Sequence, residues 1–317
     1  MLKLIAPLKD YIWGGSILTE EYGKSSGGPV AESWELSAHP DGKSRVSGGE
    51  FDGTELTEVL KTHPEYCSTG SSSFETLPVL FKLIDSAAPL SIQVHPDDAY
   101  ALRTENCPGK SECWYILGAS EGAHIYLGLN KNTPRGELEE RIRDGSLESV
   151  LNRIPVRPGE IYYIPAGTLH AIGAGVTLAE LQQSSNITYR VYDYNRPGKD
   201  GKPRELHVRK ALDVIRPEKG IPAVPSDRMS VEENGLSVCN IMKADMFYLD
   251  RLELSGEAVL PRLNVFCALT CIGGQASLSS AKNSVSLKKG ETVFVCAGEE
   301  IRLSGNAIIL RYGSSRG

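Results

Sequence analysis

The sequence lacks the features expected of a membrane protein or of a small disulfide-stabilised secreted domain. No run of 18 apolar residues occurs among its 317 residues, so no segment is a candidate membrane-spanning helix. The N-terminal residues contain no apolar stretch long enough for a secretory signal. The seven cysteines are odd in number, scattered from Cys67 to Cys296 and never spaced as Cys-x-x-Cys, which argues against a disulfide framework. We therefore expect a cytoplasmic protein without a membrane partner.

A basic surface is also missing. Lys and Arg together number 34 against 40 for Asp and Glu, which gives a formal net charge of −6. No nucleic-acid recognition motif is present, so a nucleic-acid partner is not expected. An acidic chain can still bind a phosphorylated metabolite, because a few cations in a cleft are sufficient.

Short apolar runs bounded by Gly, Pro, Asn and Asp make up most of the chain, and runs of this kind are typical of strands in a sandwich or barrel. They are Leu80–Ile84, Ser91–His95, Cys113–Leu117, Ala123–Leu129, Glu160–Pro165, Val176–Leu181, Ala258–Thr270 and Glu291–Val295. Three segments favour helices instead. They are Thr54–Lys61, Thr133–Leu151 and Leu206–Ile215. The pattern predicts a mainly β protein with a few short helices.

Two segments of the chain align with each other without a gap. Gly159–His170 consists of a strand, a tight Pro-x-Gly turn and a histidine, and Gly290–Ile301 repeats its glycines, its acidic residue, its apolar strand and its Ala-Gly turn. In the second copy Ile301 replaces the histidine. Self-similarity of this kind indicates duplicated units, of which we expect only the first to hold a ligand at this position.

A proline-punctuated stretch, residues 216–227, separates the two copies and is the candidate linker. We therefore predict a catalytic domain over residues 1–225, with a small helical insertion near residues 133–151. Residues 226–317 would form a second, degenerate unit without metal ligands.

The first copy resembles the second cupin motif, and a variant of the first cupin motif precedes it. Gln93 and His95 lie two apart on a strand, so both should face the barrel interior. Glu112 and His170 would come from neighbouring strands. Two imidazoles, a carboxylate and an amide oxygen suit Zn²⁺, although Fe²⁺ and Mn²⁺ are also possible. The resemblance implies two cupin-like β-barrels (jelly rolls).

A single buried histidine is more often a packed core residue than a ligand. His95 and His170 differ because each lies within a motif, and their joint occurrence favours metal binding. Gln93 is the weakest of the proposed ligands, because a neutral amide can instead orient a water molecule. The remaining histidines lie outside such motifs and are expected to pack or to face solvent: His39, His63, His124 and His207.

Longer stretches around these motifs resemble type I mannose-6-phosphate isomerases. They are Asp10–Gly14, Ala31–Leu36, Leu80–Asp98, Gly109–Tyr115, Ile164–His170 and Glu180–Tyr194. The resemblance implies an aldose–ketose isomerase that interconverts mannose 6-phosphate and fructose 6-phosphate through a cis-enediol intermediate. It also implies one zinc ion per chain, held by Gln93, His95, Glu112 and His170. Finally, it implies that Arg190 is essential and that Lys110 and Glu180 lie beside the substrate.

The chain departs from the longer members of that family in two respects. They contain a helical domain, of which Thr133–Leu151 would be a remnant. They also commonly have a histidine where this chain has Gly109, so a role for that histidine cannot be transferred. The compact chain resembles the shorter bacterial branch.

The implied reaction has chemical requirements that these residues meet. A divalent cation stabilises the developing enediolate as a Lewis acid, and a base must move one proton between two carbons. Glu180 and Lys110 are the candidate bases. Arg190 suits phosphate or enediolate binding, with Ser91 and Lys110 as further substrate contacts. The structural alternative for Arg190 is an ion pair with Asp193.

Two other functions are compatible with a cupin fold, because fold alone does not determine chemistry. An oxygen-using cupin commonly needs three or four histidines on its metal, and the motifs of this chain supply two. A non-catalytic sugar-binding cupin would not need a lysine and an arginine beside the metal strands. Both residues are present, which favours the isomerase.

Overall fold

The structure is a computed structural model that describes residues 1–25, 27–70, 77–224, 229–233 and 235–315. Within those ranges strands predominate and the α-helices are short, which confirms the predicted mainly β class. None of the seven cysteines forms a disulfide. The helices of this part of the chain are all too short or too polar to cross a membrane.

The strands are numbered in chain order. They are β1 (Leu2–Ile5), β2 (Leu8–Lys9), β3 (Glu32–Leu36), β4 (Arg45–Ser47), β5 (Val79–Ser86), β6 (Ile92–Val94), β7 (Glu112–Ala119), β8 (His124–Leu129), β9 (Leu151–Pro155), β10 (Ile161–Ile164), β11 (His170–Ile172), β12 (Val176–Gln183), β13 (Tyr189–Tyr192), β14 (Ser230–Glu233), β15 (Leu236–Lys243), β16 (Phe247–Leu260), β17 (Cys267–Ser279), β18 (Ser284–Lys288), β19 (Thr292–Val295) and β20 (Ile301–Ser314).

The α-helices are α1 (Ile17–Tyr22), α2 (Leu56–Thr62), α3 (Asp98–Thr104), α4 (Arg135–Asp144) and α5 (Val208–Val214). Single 3₁₀ turns occupy Gly49–Phe51, Pro64–Tyr66 and Leu147–Val150. Helices α4 and α5 lie within two of the segments that the sequence pattern assigns to helices, and α2 overlaps the third and ends one residue beyond it. The pattern does not predict α1 or α3, each of which has only six or seven residues.

Three antiparallel sheets contain these strands. A six-stranded sheet has the order β10-β7-β12-β5-β3-β2, and a five-stranded sheet has the order β13-β6-β11-β8-β9. A nine-stranded sheet has the order β14-β15-β16-β20-β17-β19-β1-β4, with β18 paired to β17. None of these hydrogen-bonded orders closes on itself, so the prediction of two closed barrels is not confirmed.

The six-stranded and five-stranded sheets share one apolar core. Trp114 and Ile116 of β7 are fully buried in it, together with Ile125 and Leu127 of β8. Alternate side chains on each strand point into this layer. Most of the apolar runs coincide with strands, but the prediction of a strand over Ala258–Thr270 was wrong, because β16 ends at Leu260 and β17 begins only at Cys267. Such runs also do not decide between a barrel and a two-layer packing.

Helices α4 and α5 pack beside the five-stranded sheet. Leu138 and Ile142 of α4 share an apolar cluster with Leu212 of α5 and with Ile92 of β6. Helix α4 ends at Gly145, whose positive φ of 78° is the backbone conformation common just after a helix.

The two aligned segments adopt the same local structure. Strands β10 and β19 each begin two residues after the first glycine of their segment, and the following strands begin at His170 and Ile301. Gly167 and Gly298 occupy matching turns with φ of +86° and +76°, a region that glycine adopts without strain. The structure therefore confirms the internal alignment. Ile301 is completely buried and fills core space where the first copy has His170.

The start of the chain joins the C-terminal sheet. Strand β1 pairs with β19, with Leu4 opposite Thr292, and Phe81 of β5 stacks on Tyr312 of β20 at a ring-centroid distance of 3.9 Å. The predicted boundary at residue 225 lies outside the described residues, so the division at that point stays a prediction.

Candidate active site

Three side chains able to bind a metal ion meet between the two sheets of the sandwich. His95 follows β6, His170 opens β11 and Glu112 opens β7, and their ligand atoms all lie within 4.8 Å of one another. The pairing of His170 with Gln93 across β11 and β6 fixes the register that brings them together. All three are at most 1% exposed. No other group of three such side chains converges in the part of the chain that the structure describes.

The hydrogen bonds and charges around this cluster favour the protonation states that bind a metal. The Nδ1 of His170 donates to the Thr168 carbonyl at 2.8 Å. In the neutral ring the lone pair is therefore on Nε2, and this atom lies 3.4 Å from the Glu112 carboxylate. Burial lowers the pKa of His170. Burial and the charge of Lys110 lower the pKa of His95 to about 3. Both imidazoles are therefore neutral at pH 7, as metal ligands must be.

Glu112 supplies the negative charge of the cluster. Burial opposes ionisation of its carboxyl group, but Lys110 and His95 together hold its pKa well below the ordinary value. The Lys110 ammonium lies 2.8 Å from Oε2. The carboxylate is thus ionised and has imidazoles on two sides, 3.4 and 3.5 Å away.

The cluster contains buried polar atoms without hydrogen-bond partners. Neither ring nitrogen of His95 has one within the described residues. An unsatisfied buried polar group costs about 1–3 kcal/mol of folding free energy. Without a bound ligand, the cluster therefore lowers the stability of the protein. A cation at the centre of the cluster would bind one ring nitrogen of each histidine and the Glu112 carboxylate, and the mixed nitrogen and oxygen donors fit Zn²⁺ and its neighbours in the first transition row.

Gln93, the fourth expected ligand, lies against this cluster. Its Nε2 is 3.3 Å from Nε2 of His170, and its side chain also lines the adjacent cavity. The amide is thus adjacent to the candidate metal position, and direct ligation by its oxygen stays a prediction.

A cavity of about 280 Å³ lies beside the cluster. It brings together the remaining site residues that the sequence analysis names, because Ser91, Lys110, Glu180 and Arg190 all line it. The lining residues that the sequence analysis does not single out are Tyr11, Trp13, Glu32, Lys82, Ile84, Leu90, Ile172, Asn186, Thr188 and Arg204. Many of these residues lie within the stretches that carry the family resemblance, and that resemblance was the signal that could have identified them.

Glu180 is a buried carboxylate with two fixed neighbours. It lies on β12 between Lys82 of β5 and Trp114 of β7. The Trp114 indole donates to Oε2 at 2.9 Å, and the Lys82 ammonium lies 3.2 Å from Oε1. Burial and the charge of Glu112 raise the pKa of Glu180. A carboxylate in this environment accepts a proton more readily than a solvent-exposed one.

Lys82 remains a cation in this arrangement. Burial opposes its charge, but the carboxylates of Glu32 and Glu180 outweigh that penalty and raise its pKa. Its ammonium also lies 5.0 Å from the ring centroid of Trp34, a cation–π distance.

Arg190 projects from β13 and does not pair with Asp193. Its Nε donates to the Ser91 hydroxyl at 3.3 Å, and its Nη1 donates to the Glu205 carbonyl at 2.9 Å. Asp193 instead binds two other arginines. Within the described residues Arg190 makes no ion pair with a carboxylate, so its charge is available to a ligand. Burial and the nearby Arg204 lower its pKa.

Comparison with known proteins identifies the family. The family model described as the catalytic domain of type I phosphomannose isomerase matches residues 1–115. A mannose-6-phosphate isomerase from Streptococcus mutans is 36% identical over 88% of this chain and 87% of its own length. This chain belongs to the type I phosphomannose isomerase family.

Further matches cover nearly the whole chain. The mannose-6-phosphate isomerase cupin domain matches residues 237–312, so the C-terminal part contains a cupin domain. Mannose-6-phosphate isomerase ManA from Bacillus subtilis is 35% identical over 94% of both chains. A crystal structure of mannose 6-phosphate isomerase from Bacillus subtilis superposes with a TM-score of 0.91, at 33% identity over 98% of this chain and 99% of the other.

Replacing His170 with alanine should abolish metal retention. Loss of one ligand leaves an open, hydrated site, and the affinity should fall by more than the roughly 10–100-fold seen when only an outer partner is lost. Metal analysis should find close to one divalent ion per unaltered chain and almost none in the variant. His124→Ala is the matched control, because His124 lies outside the cluster and should not affect metal content. Full occupancy in His170→Ala would contradict the metal assignment.

Proposed function

We propose that this protein interconverts mannose 6-phosphate and fructose 6-phosphate through a cis-enediol intermediate, with one Zn²⁺ per chain. The observation that carries the proposal is a single cavity. It is lined by Gln93 and Lys110, which contact His170 and Glu112 of the buried metal-ligand cluster. The same cavity is lined by the carboxylate of Glu180 and by the guanidinium of Arg190, which forms no ion pair within the described residues. The names of the relatives that match most of the chain support the substrate.

The residues that would hold the ion are His95, Glu112 and His170, with Gln93 as the fourth ligand. They supply neutral imidazoles, one ionised carboxylate and one amide, a donor set suited to zinc. When bound, the ion would supply Lewis-acid stabilisation of the negative charge that develops on the substrate oxygens. The Lys110 ammonium lies 2.8 Å from the Glu112 carboxylate, so this carboxylate has a cationic partner before a metal binds.

Proton transfer between C1 and C2 requires a base that faces the cavity, and Glu180 is the better placed candidate. Its raised pKa suits the temporary acceptance of a proton. The Trp114 indole and the Lys82 ammonium hold its two oxygens in place. Lys110 is the alternative base. Its ammonium already pairs with Glu112, so we assign it to donate hydrogen bonds to the substrate oxygens.

Arg190 and Ser91 form an anion-binding element on the same cavity wall. The guanidinium keeps N–H donors beyond those used on Ser91 and Glu205, because an arginine has five. A planar guanidinium can contact phosphate or enediolate oxygens in pairs. Both residues thereby bind and orient a sugar phosphate relative to the base.

The direct test of this proposal is an isomerase assay on metal-analysed protein. The zinc-loaded protein should convert mannose 6-phosphate to fructose 6-phosphate, a chelator should remove that activity, and added Zn²⁺ should restore it. Absence of product with fully loaded protein would refute the proposed reaction. Full turnover by protein shown to be metal-free would refute the role of the ion.

Arg190→Ala should lower turnover by at least about a hundredfold while the fold and the zinc content remain intact. This loss corresponds to about 3 kcal/mol of transition-state stabilisation, a magnitude typical of one removed charge-stabilising donor. Arg190→Lys should rescue poorly, because a point charge cannot reproduce the guanidinium fork. Steady-state kinetics, thermal unfolding and metal analysis check the three quantities. A folded, zinc-loaded Arg190→Ala enzyme with near-normal turnover would contradict this role.

A further inference from the structure

The segment between β13 and α5 first leads away from the cavity and then returns to it. Its outer part is closed by a hydrogen bond from the Gly198 amide to the Lys202 carbonyl at 2.7 Å. Its returning part is fixed to β13, because His207 exchanges two hydrogen bonds with the backbone of Arg190. Glu205 also accepts from the Arg190 guanidinium. The residue just before Glu205 is therefore held close to Arg190.

That residue, Arg204, lines the cavity together with Arg190. Its orientation is set by Asp193, which accepts from Nε at 2.7 Å and from Nη2 at 2.6 Å. The side chain of Asp193 is only 6% exposed, so this bidentate contact is sheltered from water. The contact uses two of the five N–H donors of the guanidinium. The other three have no hydrogen-bond partner within the described residues.

The charges in this region do not cancel. Asp193 is shared between Arg204 and Arg196, with ion-pair distances of 2.6 and 2.9 Å, so one carboxylate faces two guanidiniums. Arg190 adds a third cation without a carboxylate partner among the described residues. After burial, the charge of Arg204 is the next largest cause of the lowered pKa of Arg190, so the two arginines repel one another. Excess positive charge on a cavity wall favours binding of an anion.

Arg204 belongs to the outer part of the cavity. Its side chain is 23% exposed, whereas that of Lys110, beside the metal cluster, is 5% exposed. The reacting carbons C1 and C2 of a hexose 6-phosphate must lie at the metal end, which places the phosphate on C6 toward the outer end. The remaining donors of Arg204 match the oxygens of such a phosphate.

We propose that Arg204 recognises the substrate phosphate and thereby selects phosphorylated hexoses over free ones, with Asp193 as the residue that positions its guanidinium. This inference rests on the proposed function. Arg204 contacts the part of the substrate that does not react, so its binding energy is the same in the ground state and the transition state. Its loss therefore raises KM and leaves kcat nearly unchanged.

The test compares Arg204→Gln with Arg196→Gln. Both arginines pair with Asp193, but only Arg204 lines the cavity, so the second variant controls for loss of an ion pair. Arg204→Gln should raise KM for mannose 6-phosphate by about 10- to 100-fold, the range for a lost charge-assisted hydrogen bond. The inhibition constant of inorganic phosphate should rise in parallel, while kcat changes by less than about threefold and zinc content stays constant. In Arg196→Gln, KM should stay within about threefold of the unaltered enzyme.

An unchanged KM in Arg204→Gln, or an equal rise in Arg196→Gln, would overturn the inference. Thermal unfolding will show whether Arg204→Gln folds. If Arg204→Gln does not fold, Arg204→Lys replaces it in the test, because lysine keeps a positive charge next to Asp193 but lacks the planar guanidinium. A normal KM in Arg204→Lys would also overturn the inference. If the unaltered zinc protein makes no fructose 6-phosphate, the proposed function fails separately. Calorimetry with inorganic phosphate then tests Arg204 alone: binding lost in Arg204→Gln and kept in Arg196→Gln supports the inference, and equal binding refutes it.

Discussion

The buried negative charge of Glu112 is the constraint on which the rest of the site depends. Its carboxylate is fully removed from solvent, and a buried charge is strongly unfavourable unless it is paired. Lys110 offsets part of that cost from 2.8 Å away, and the neutral His95 and His170 lie on two sides of it without neutralising it. A divalent cation would bind this carboxylate together with one nitrogen of each imidazole, so the donor set favours a metal at this position.

The same constraint extends through the carboxylates that surround Lys82. Glu180 has a raised pKa because it is buried and near Glu112, and Lys82 keeps its charge between Glu32 and Glu180. Alternating charges across β3, β5 and β12 therefore hold each group in a defined state. An active site that must exchange one proton benefits from neighbours whose charges do not change.

The nine-stranded sheet contacts the strand that forms this wall of the cavity. On β3, Glu32 faces the cavity and receives a hydrogen bond from Trp34 at 2.6 Å, whereas Glu35 accepts from Thr292 of β19 at 2.9 Å. Alternation along β3 thus connects the site to the nine-stranded sheet. We infer that the second copy, which has Ile301 in place of a ligand, contributes packing to the site.

Sequence patterns predicted most of the strands, the duplicated turns and the convergence of His95 and His170, because apolar runs, turn residues and short motifs are local properties. The run Ala258–Thr270 was wrongly predicted as one strand, because it spans the connection between β16 and β17. Sequence patterns did not determine the closure of the sheets, which depends on long-range packing, or the partner of Asp193, which depends on a returning loop. Arg204 was not predicted as a site residue, because only the return of its loop brings it to the cavity. The most direct measurement is anomalous diffraction from a zinc-loaded crystal soaked with fructose 6-phosphate. We expect a zinc peak about 2.0–2.2 Å from the ligand atoms of His95, His170 and Glu112, with the phosphate beside Arg204. Zinc bound elsewhere, or phosphate bound at the cluster, would contradict this expectation.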